Sequence, residues 1–350
     1  MSDLPELLAP AGDLFKLQLA IEYGADAVYV GAAGFSMRTD EASFCIDELQ
    51  RAVELTHHYG KKIYVAANTL LLQKDLGPFE RWIDDSRHIP FDAIILADPG
   101  AVSFVKKQRA DLPIHISTQM STANSSAARF WKDAGASRVI LARECPLVDA
   151  AEIVQNSNIE VEVFVHGAMC VAISGRCLLS AHLCGQSASQ GQCKQSCRWE
   201  WQLVEKKRPG QVIPVFEDGE KTFFLGSTDL CLIGQIPSLV RSSVKSLKIE
   251  GRMKSAYYVA ATTRIYRAAL DAYANDPEKY CVNQMWIEEL DAISHRSYAE
   301  GFASGYPAEQ PQLLQTPSGT VGSCETVGYV TDLGDGFCTI EVKNPFGIGE

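Results

Sequence analysis

Four cysteines lie in one short stretch of the chain with the spacing C-x6-C-x15-C-x3-C: Cys170, Cys177, Cys193 and Cys197. Four thiolates from one segment could bind either a tetrahedral zinc ion or an iron–sulfur cluster. Structural zinc sites usually use C-x2-4-C pairs, and the first gap here is longer than that. The spacing therefore favours an iron–sulfur cluster, with zinc and no metal as the alternatives. A cluster would bring electron transfer or Lewis acidity to the site.

The other cysteines carry weaker signals. Cys184 lies inside the same stretch and is interpreted as a bystander, and Cys231 is an alternative to Cys197 as fourth ligand. In a reducing compartment, clustered cysteines are metal ligands or redox groups rather than disulfides. The sequence has no G-x-S-x-G, H-E-x-x-H or phosphate-binding glycine motif. The four spaced cysteines are thus the primary candidates for chemistry.

Composition sets limits on the class of protein. The 350 residues carry a net charge of −11, and 46% of them are hydrophobic. That length predicts two domains, or one large barrel with an appendage. The negative charge means that a nucleic-acid partner would need a local basic face. The N-terminal sequence does not resemble a signal peptide, and no apolar stretch is long enough to span a membrane, so we expect a cytoplasmic protein without membrane contact.

Short apolar runs alternate with helical periodicity along most of the chain, which predicts parallel strands buried on both faces. The alternation predicts a TIM-like (β/α)8 barrel of the α/β class. An open doubly wound sheet is the runner-up, but the first turn lacks G-x-G-x-x-G. The expected strands are 7–11, 27–31, 62–69, 92–98, 113–119, 138–144, 160–167 and 243–251. The expected helices are 14–23, 46–59, 78–86, 100–108, 123–134, 148–156 and 256–273.

The late position of the eighth strand determines the predicted domain organisation. Residues 1–275 would form the barrel, with 168–242 as a cysteine-rich insertion between strands seven and eight. Part of the segment 276–315 is rich in Gly, Pro and Ser, and the whole segment is predicted to be a linker. Residues 316–350 read as the start of a small β domain, apparently truncated, with LGDG as a hairpin turn.

The region of the first two cysteines resembles the signature segment of the U32 family, first labelled collagenase-like peptidases. The matching pattern is Glu162-x-Phe164-x-x-Gly167-Ala168-Met169-Cys170-x4-Gly175-x-Cys177-x-Leu179-Ser180. LLAPAGD, GADAVYVG, STQMSTAN and SLKIEGRMKSAYYV are similar to further recurring blocks of that family. The resemblance runs from about residue 6 to the C-terminus.

The resemblance implies an activity. Some U32 members are O2-independent hydroxylases that carry a [4Fe–4S] cluster and act on RNA bases or ubiquinone precursors. The RNA-directed branches take the hydroxyl from prephenate and make 5-hydroxyuridine at the tRNA wobble position or 5-hydroxycytidine in 23S rRNA. GQCKQSCRWEW is similar to the RNA-directed branches, and RSYAEGF and VKNPFGIGE to the tRNA branch. GQSASQGQCKQSC resembles the ribosomal branch, so both targets stay open.

The resemblance also implies that the four spaced cysteines hold the cluster, with iron–sulfur assembly proteins as partners. A collagenase-like peptidase and a zinc-stabilised binding module are the alternatives from other functional classes. The sequence shows no nucleophile–base pair that would support a peptidase.

Residues at the ends of the predicted strands would face the barrel mouth. Gln119, Arg143, Lys248 and Arg252 are candidates for binding a small dicarboxylate, because guanidinium groups bind carboxylates with two hydrogen bonds. The alternative for the cations is rim ion pairs with Glu144 or Glu250. His166 and Glu250 are the candidate catalytic groups, and His166 could equally hold the cysteine loop.

RNA binding requires positive charge together with stacking aromatic groups. Lys194, Arg198 and Trp199 combine both next to the last cysteine, and Lys254 and Tyr257 form a second candidate patch. The alternative is a solvated surface with tryptophans in the core.

Overall fold

The computed structural model describes residues 4–38, 42–170, 174–199, 216–218, 221–223, 228–305, 322, 324, 326–334 and 336–347. Eight parallel strands form a barrel, and the remaining strands lie in the insertion and beyond the barrel. The barrel strands are β1 Glu6–Pro10, β2 Ala27–Gly31, β3 Lys62–Ala67, β4 Ala93–Leu96, β5 Ile114–Ile116, β6 Arg138–Ile140, β7 Glu160–Ala168 and β11 Ser246–Ile249. The others are β8 Phe216–Asp218, β9 Lys221–Phe223, β10 Asp229–Cys231, β12 Tyr298–Ala299, β13 Gly328–Gly334 and β14 Phe337–Val342.

The ring of strands is closed. β11 pairs in parallel with β7 through Ser246 and Glu162, and on its other side with β1 through Ser246 and Glu6. The sheet therefore has no free edge between its first and eighth barrel strands. This closure confirms the predicted TIM-like barrel and excludes the open doubly wound sheet.

Helices cover the outside of the ring and follow the strands in the predicted alternation. Several begin at a side chain that caps the backbone: Asp13, Asp98, Asn124 and Ser255 each accept a hydrogen bond from an N–H of the first turn. The helices are α1 Leu14–Glu22, α2 Ile46–His58, α3 Leu76–Asp85, α4 Pro99–Gln108, α5 Ser125–Asp133, α6 Leu147–Ser157, α7 Leu179–Cys184, α8 Ile236–Arg241, α9 Ala256–Asn275 and α10 Gln284–Ala292.

The inside of the barrel combines a small apolar cluster with buried charges. Glu162 is fully buried and accepts hydrogen bonds from Lys248 Nζ at 2.9 Å and from Arg138 Nη1 at 3.1 Å. Arg138 Nη1 also donates to Glu6 at 2.8 Å. Burial alone would raise the pKa of Glu162, but Lys248 and Arg138 outweigh it and lower the pKa to about 2. Glu162 is therefore a carboxylate at neutral pH, although burial lowers the pKa of Lys248.

β7 is nine residues long and continues past the barrel rim. Its end pairs antiparallel with β10, where Leu230 lies opposite Gly167, and β10 pairs in turn with β12. Helix α10 and strand β12 both lie within residues 276–315, which the sequence predicts as a linker. This part of the chain thus packs beside the insertion.

β13 and β14 form an antiparallel hairpin at the predicted LGDG turn. The ring of Tyr329 on β13 contacts the ring of Phe15 on α1 edge-on, with centroids 4.9 Å apart. The hairpin thereby touches the barrel, while the predicted start of the β domain at residue 316 lies outside the described residues.

Across the described part of the chain, no helix combines the length and the apolar character needed to cross a bilayer.

The glutamate at the centre of the buried network should be critical for stability. We expect Glu162→Gln to lower the free energy of unfolding by about 3–5 kcal/mol, because Lys248 and Arg138 would remain buried without their counter-charge. Urea unfolding at neutral pH measures the change. The matched control is Glu160→Gln on the same strand, whose side chain is 45% exposed and bonds Arg138, and which should cost no more than about 1 kcal/mol.

The difference between wild type and Glu162→Gln should also depend on pH. The pKa of Glu162 is lowered from 4.5 to about 2, so its contribution is complete above pH 4.5 and is lost as the pH falls towards 2. A difference that stays constant between pH 5 and pH 2.5, or equal losses for the two variants, would contradict this role of Glu162.

Candidate active site

The four spaced cysteines line one cavity at the barrel mouth. This cavity, called the cysteine cavity below, has a volume of about 400 Å3. Cys170 and Cys193 are exposed, whereas Cys177 and Cys197 are half-buried. The insertion thus presents all four thiols over the end of the barrel where catalytic sites of this fold lie.

The thiols surround the cavity without converging on one point. Within the described ranges, no group of three or more His, Cys, Asp or Glu side chains stands in the geometry of a single-metal site. Zinc requires its ligands to meet tetrahedrally at about 2.3 Å from the metal. A cubane cluster carries four irons and uses thiolates spread around a larger body. The donor set, four thiols around one cavity, is one that could hold such a cluster.

Cys184 and Cys231 do not belong to the described lining of the cysteine cavity. Cys184 ends α7. Cys231 lies on β10 with its Sγ 3.9 Å from the hydroxyl of Tyr266, and burial raises the pKa of its thiol. A thiol held in its neutral form is a poor ligand, because metals bind thiolates.

The loop that carries Cys177 is attached to the barrel strands beneath it. Glu144, after β6, accepts hydrogen bonds from the backbone N–H and the hydroxyl of Ser174, both at 3.1 Å. Ser121, after β5, donates to the Ser174 carbonyl. Gly175 has a φ of +77° and lies so close to the Gln119 carbonyl that a Cβ would collide with it. The loop position therefore requires a glycine.

A second support lies behind Cys170. Arg296 and Asp229 form a buried ion pair, with Nη2 and Oδ1 2.6 Å apart. Arg296 Nη2 also donates to the carbonyl of Met169 at 3.4 Å, and Gly301 packs against the Met169 side chain. The RSYAEGF segment thus forms the wall behind the first cysteine.

A second and smaller space, called the arginine chamber below, extends from the mouth into the barrel. It has a volume of about 60 Å3 and is lined by Arg38, Arg143, Lys248 and Arg252, with Glu250 and Gln119. Met37, Arg38, Gln119 and Glu250 line both spaces. The two spaces therefore share a wall.

Glu250 and Arg38 form an ion pair in that shared wall. Arg38 Nη2 donates to Glu250 Oε1 at 2.8 Å. Burial would raise the pKa of Glu250, but Arg38 and Arg143 outweigh it and lower the pKa to about 2. Glu250 is therefore a carboxylate at neutral pH and has no proton to donate as a general acid.

The other cations of the arginine chamber lie against aromatic rings or a hydroxyl group, and Lys248 is also paired with Glu162. Arg143 stacks over Phe164 at 3.8 Å, and Lys248 Nζ lies 4.3 Å from the Tyr29 ring centroid. Arg252 Nη2 donates to Ser36 Oγ at 2.6 Å, while its Nη1 is buried with no hydrogen-bond partner among the described residues. Burial lowers the pKa of Arg252 to about 10, so it stays charged.

The charges of the arginine chamber do not cancel. Four cations line it, against Glu250 in the wall and Glu162 paired with Lys248 below. These charges leave an excess of two positive charges around the chamber. Such a site favours an anion, and its charge matches a dicarboxylate.

His166 lies elsewhere than strict strand alternation would put it. The register between β7 and β11 shifts between Lys248 and Ile249, so that Ile249 lies opposite His166. This irregularity turns His166 away from the mouth, and it is not part of the described lining of either space. It packs against the rings of Tyr258, Tyr266 and Tyr298. Burial lowers its pKa to about 3, so the imidazole is neutral.

One of the candidate RNA-binding residues, Lys254, lines the cysteine cavity, and Lys194, Arg198 and Trp199 lie within two residues of Cys193 or Cys197, which also line it. Lys194 and Trp199 are exposed, and Arg198 ends the turn Ser196–Arg198. Lys254 lines the cysteine cavity and donates to the Ser294 carbonyl at 2.9 Å. Tyr257 is half-buried, and burial raises its pKa.

The sequence predicted that Gln119, Arg143, Lys248 and Arg252 would lie at one site, but it did not identify Arg38 as part of that site. That residue follows β2 on a loop, not at a strand end. The usable signal was its position: a basic residue in a long β–α loop faces the same mouth as the strand ends.

Comparison with known proteins gives the relatives of this chain. The model of the family described as Peptidase family U32 matches residues 12–312. "tRNA hydroxylation protein P1" of Bacillus subtilis (strain 168) is 39% identical over 310 residues, covering 89% of this chain and 73% of that protein. "23S rRNA 5-hydroxycytidine C2501 synthase" of Escherichia coli (strain K12) is 37% identical, and the match covers 90% of this chain and 48% of that protein. "Collagenase" of Porphyromonas gingivalis is 31% identical, and the match covers 86% of this chain and 73% of that protein.

The glycine beneath the cysteine loop provides a direct test of how that loop is held. We expect Gly175→Ala to push the loop off the Gln119 carbonyl and to speed amide hydrogen exchange at residues 174–184 by about tenfold or more. The matched control is Gly185→Ala, because Gly185 has a similar φ of +66° but nothing within 4 Å of the methyl group that alanine would add. It should cost only the backbone strain of about 1 kcal/mol. Equal exchange in both variants would refute the docking contact.

Proposed function

The chain belongs to peptidase family U32, and from that membership and the geometry of the mouth we propose that it hydroxylates an RNA pyrimidine without O2, with an iron–sulfur cluster as cofactor. The proposed target is C5 of the tRNA wobble uridine, and prephenate is the proposed hydroxyl donor. One observation carries the proposal: four thiols and a cationic chamber share a wall at the barrel mouth. Hydroxylation of a cytidine in 23S rRNA is the alternative.

Cys170, Cys177, Cys193 and Cys197 would hold a [4Fe–4S] cluster. Such a cluster, when bound, supplies electron transfer or Lewis acidity. The protein contributes the attachment of the ligand loop through Glu144 and Gly175, and the wall formed by Arg296. These contacts orient the thiolates, as neighbours of metal ligands generally do.

The arginine chamber supports a dicarboxylate donor. Its excess of positive charge attracts an acid such as prephenate, and Arg143 and Arg252 offer planar guanidinium donors for one of its carboxylates. Arg252 is held in place by its hydrogen bond to Ser36 Oγ, so its guanidinium is already positioned before the ligand arrives.

The cysteine cavity is the space that we propose the RNA nucleobase enters. Enzymes that modify a base take it out of its stack into a pocket. Trp199, 46% exposed, offers a stacking surface beside the cavity, and Lys194 offers charge for the RNA backbone. The tRNA assignment is favoured over rRNA because the relative named for tRNA hydroxylation is matched over more of its own length.

A peptidase function has less support. Neither space has a histidine among its described lining residues, so a serine or cysteine nucleophile there would lack the usual base. The roles we propose for the two acid–base candidates follow from their charge states: Glu250 accepts hydrogen bonds as a carboxylate, and neutral His166 positions the end of β7.

Replacing a ligand cysteine should remove both cluster and product. We expect anaerobically purified Cys177→Ser to lose iron, sulfide and the absorption band near ~400 nm, and to fail to restore 5-hydroxyuridine in tRNA of a deletion strain. Elemental analysis and mass spectrometry of tRNA nucleosides measure the two effects. The matched control is Cys184→Ser, which should keep both.

Two outcomes would overturn the proposal. A wild-type protein with stoichiometric zinc and no iron would remove the cofactor. Unchanged 5-hydroxyuridine in the deletion strain would remove the tRNA target, and loss of the 23S rRNA 5-hydroxycytidine there would establish the alternative.

A further inference from the structure

The arginine chamber is too small for a whole donor molecule. A cavity needs a volume of at least ~10–15 Å3 to hold one water molecule, so the chamber, with about 60 Å3, holds only a handful of non-hydrogen atoms. That is enough for one carboxylate and the carbon next to it. The cysteine cavity, at about 400 Å3, has room for the rest of a small acid.

The wall between the two spaces already contains a carboxylate. Glu250 is 8% exposed and accepts a hydrogen bond from Arg38, the cation that lines both spaces. Arg143 lies over an aromatic ring, Arg252 donates to a hydroxyl, and Lys248 pairs with Glu162, which is not part of the described lining of the chamber. Among the described residues that line the arginine chamber, Arg38 is thus the arginine that donates a hydrogen bond to a carboxylate which also lines the chamber.

We propose that Glu250 is a built-in competitor for the donor's carboxylate, which enters the arginine chamber end-first and takes Arg38 from Glu250. The remainder of the acid then lies in the cysteine cavity, next to the thiols. The inference rests on the function proposed above and adds to it the class of ligand recognised: a small acid with a carboxylate at one narrow end.

Electrostatics gives the direction of the effect. In the ligand-free protein, Glu250 neutralises the half-buried Arg38. When the acid binds, two carboxylates share the cations at close range, and their mutual repulsion weakens binding. Removing the charge of Glu250 removes both the competition and the repulsion, so the ligand should bind more tightly to the variant than to the wild type.

Calorimetry on the cluster-loaded protein under anaerobic conditions tests this, with prephenate and malonate as separate probes. We expect Glu250→Gln to bind each probe about tenfold more tightly than wild type, and Arg38→Gln to bind about tenfold more weakly. The matched control is Glu54→Gln, the same change at an exposed position of α2, which should bind like wild type. Thermal unfolding and the cluster absorbance verify that each variant is folded.

The outcomes separate this inference from the proposed function. Weaker or unchanged binding of both probes by Glu250→Gln overturns the inference, even if wild type makes 5-hydroxyuridine. If Glu250→Gln binds malonate more tightly and no form of the protein binds prephenate, the proposed exchange at Arg38 stands. The proposal that prephenate is the hydroxyl donor is then wrong. Should Glu250→Gln fail to fold, Glu250→Asp, whose shorter side chain withdraws from Arg38, must bind malonate more tightly than wild type for the inference to stand.

Discussion

The pairing of β11 with β7 on one side and β1 on the other is the contact on which the site depends. It brings the segment 248–252 beside 160–168, although the cysteine insertion separates them along the chain. The pair Lys248–Glu162 bridges these two strands inside the barrel, at 2.9 Å. Residues placed by this closure line the arginine chamber, and the cysteine loop emerges from the end of the same β7. The contacts that close the barrel therefore also position the residues of the site.

Much of the fold and part of the site could be predicted from the sequence. The apolar runs identified the barrel strands, because strands buried on both faces leave a clear pattern. Strand ends predicted that Gln119, Arg143, Lys248 and Arg252 would meet, and they do. Arg38 was missed because no periodicity specifies the path of a loop. The orientation of His166 depends on a register irregularity between β7 and β11, which alternation in one strand cannot reveal.

The site shows how a protein keeps several cations together before any ligand binds. Arg38 and Lys248 pair with the carboxylates of Glu250 and Glu162, Arg143 lies over the ring of Phe164, and Arg252 donates to the hydroxyl of Ser36. These partners hold the guanidinium groups in place, so little reorganisation is needed when an anion arrives. Gly31 contributes by what it lacks, since a Cβ there would collide with Arg252 Nη1.

The wall behind Met169 has a consequence for biosynthesis. Arg296 and Gly301 build that wall, yet the ribosome adds them long after the cysteines and after β11 has become available to close the barrel. A chain synthesised only as far as β11 thus carries its four thiols on a loop that already has Glu144 and Gln119 beneath it but still lacks this wall. The wall behind the first cysteine can form only once translation has passed residue 301.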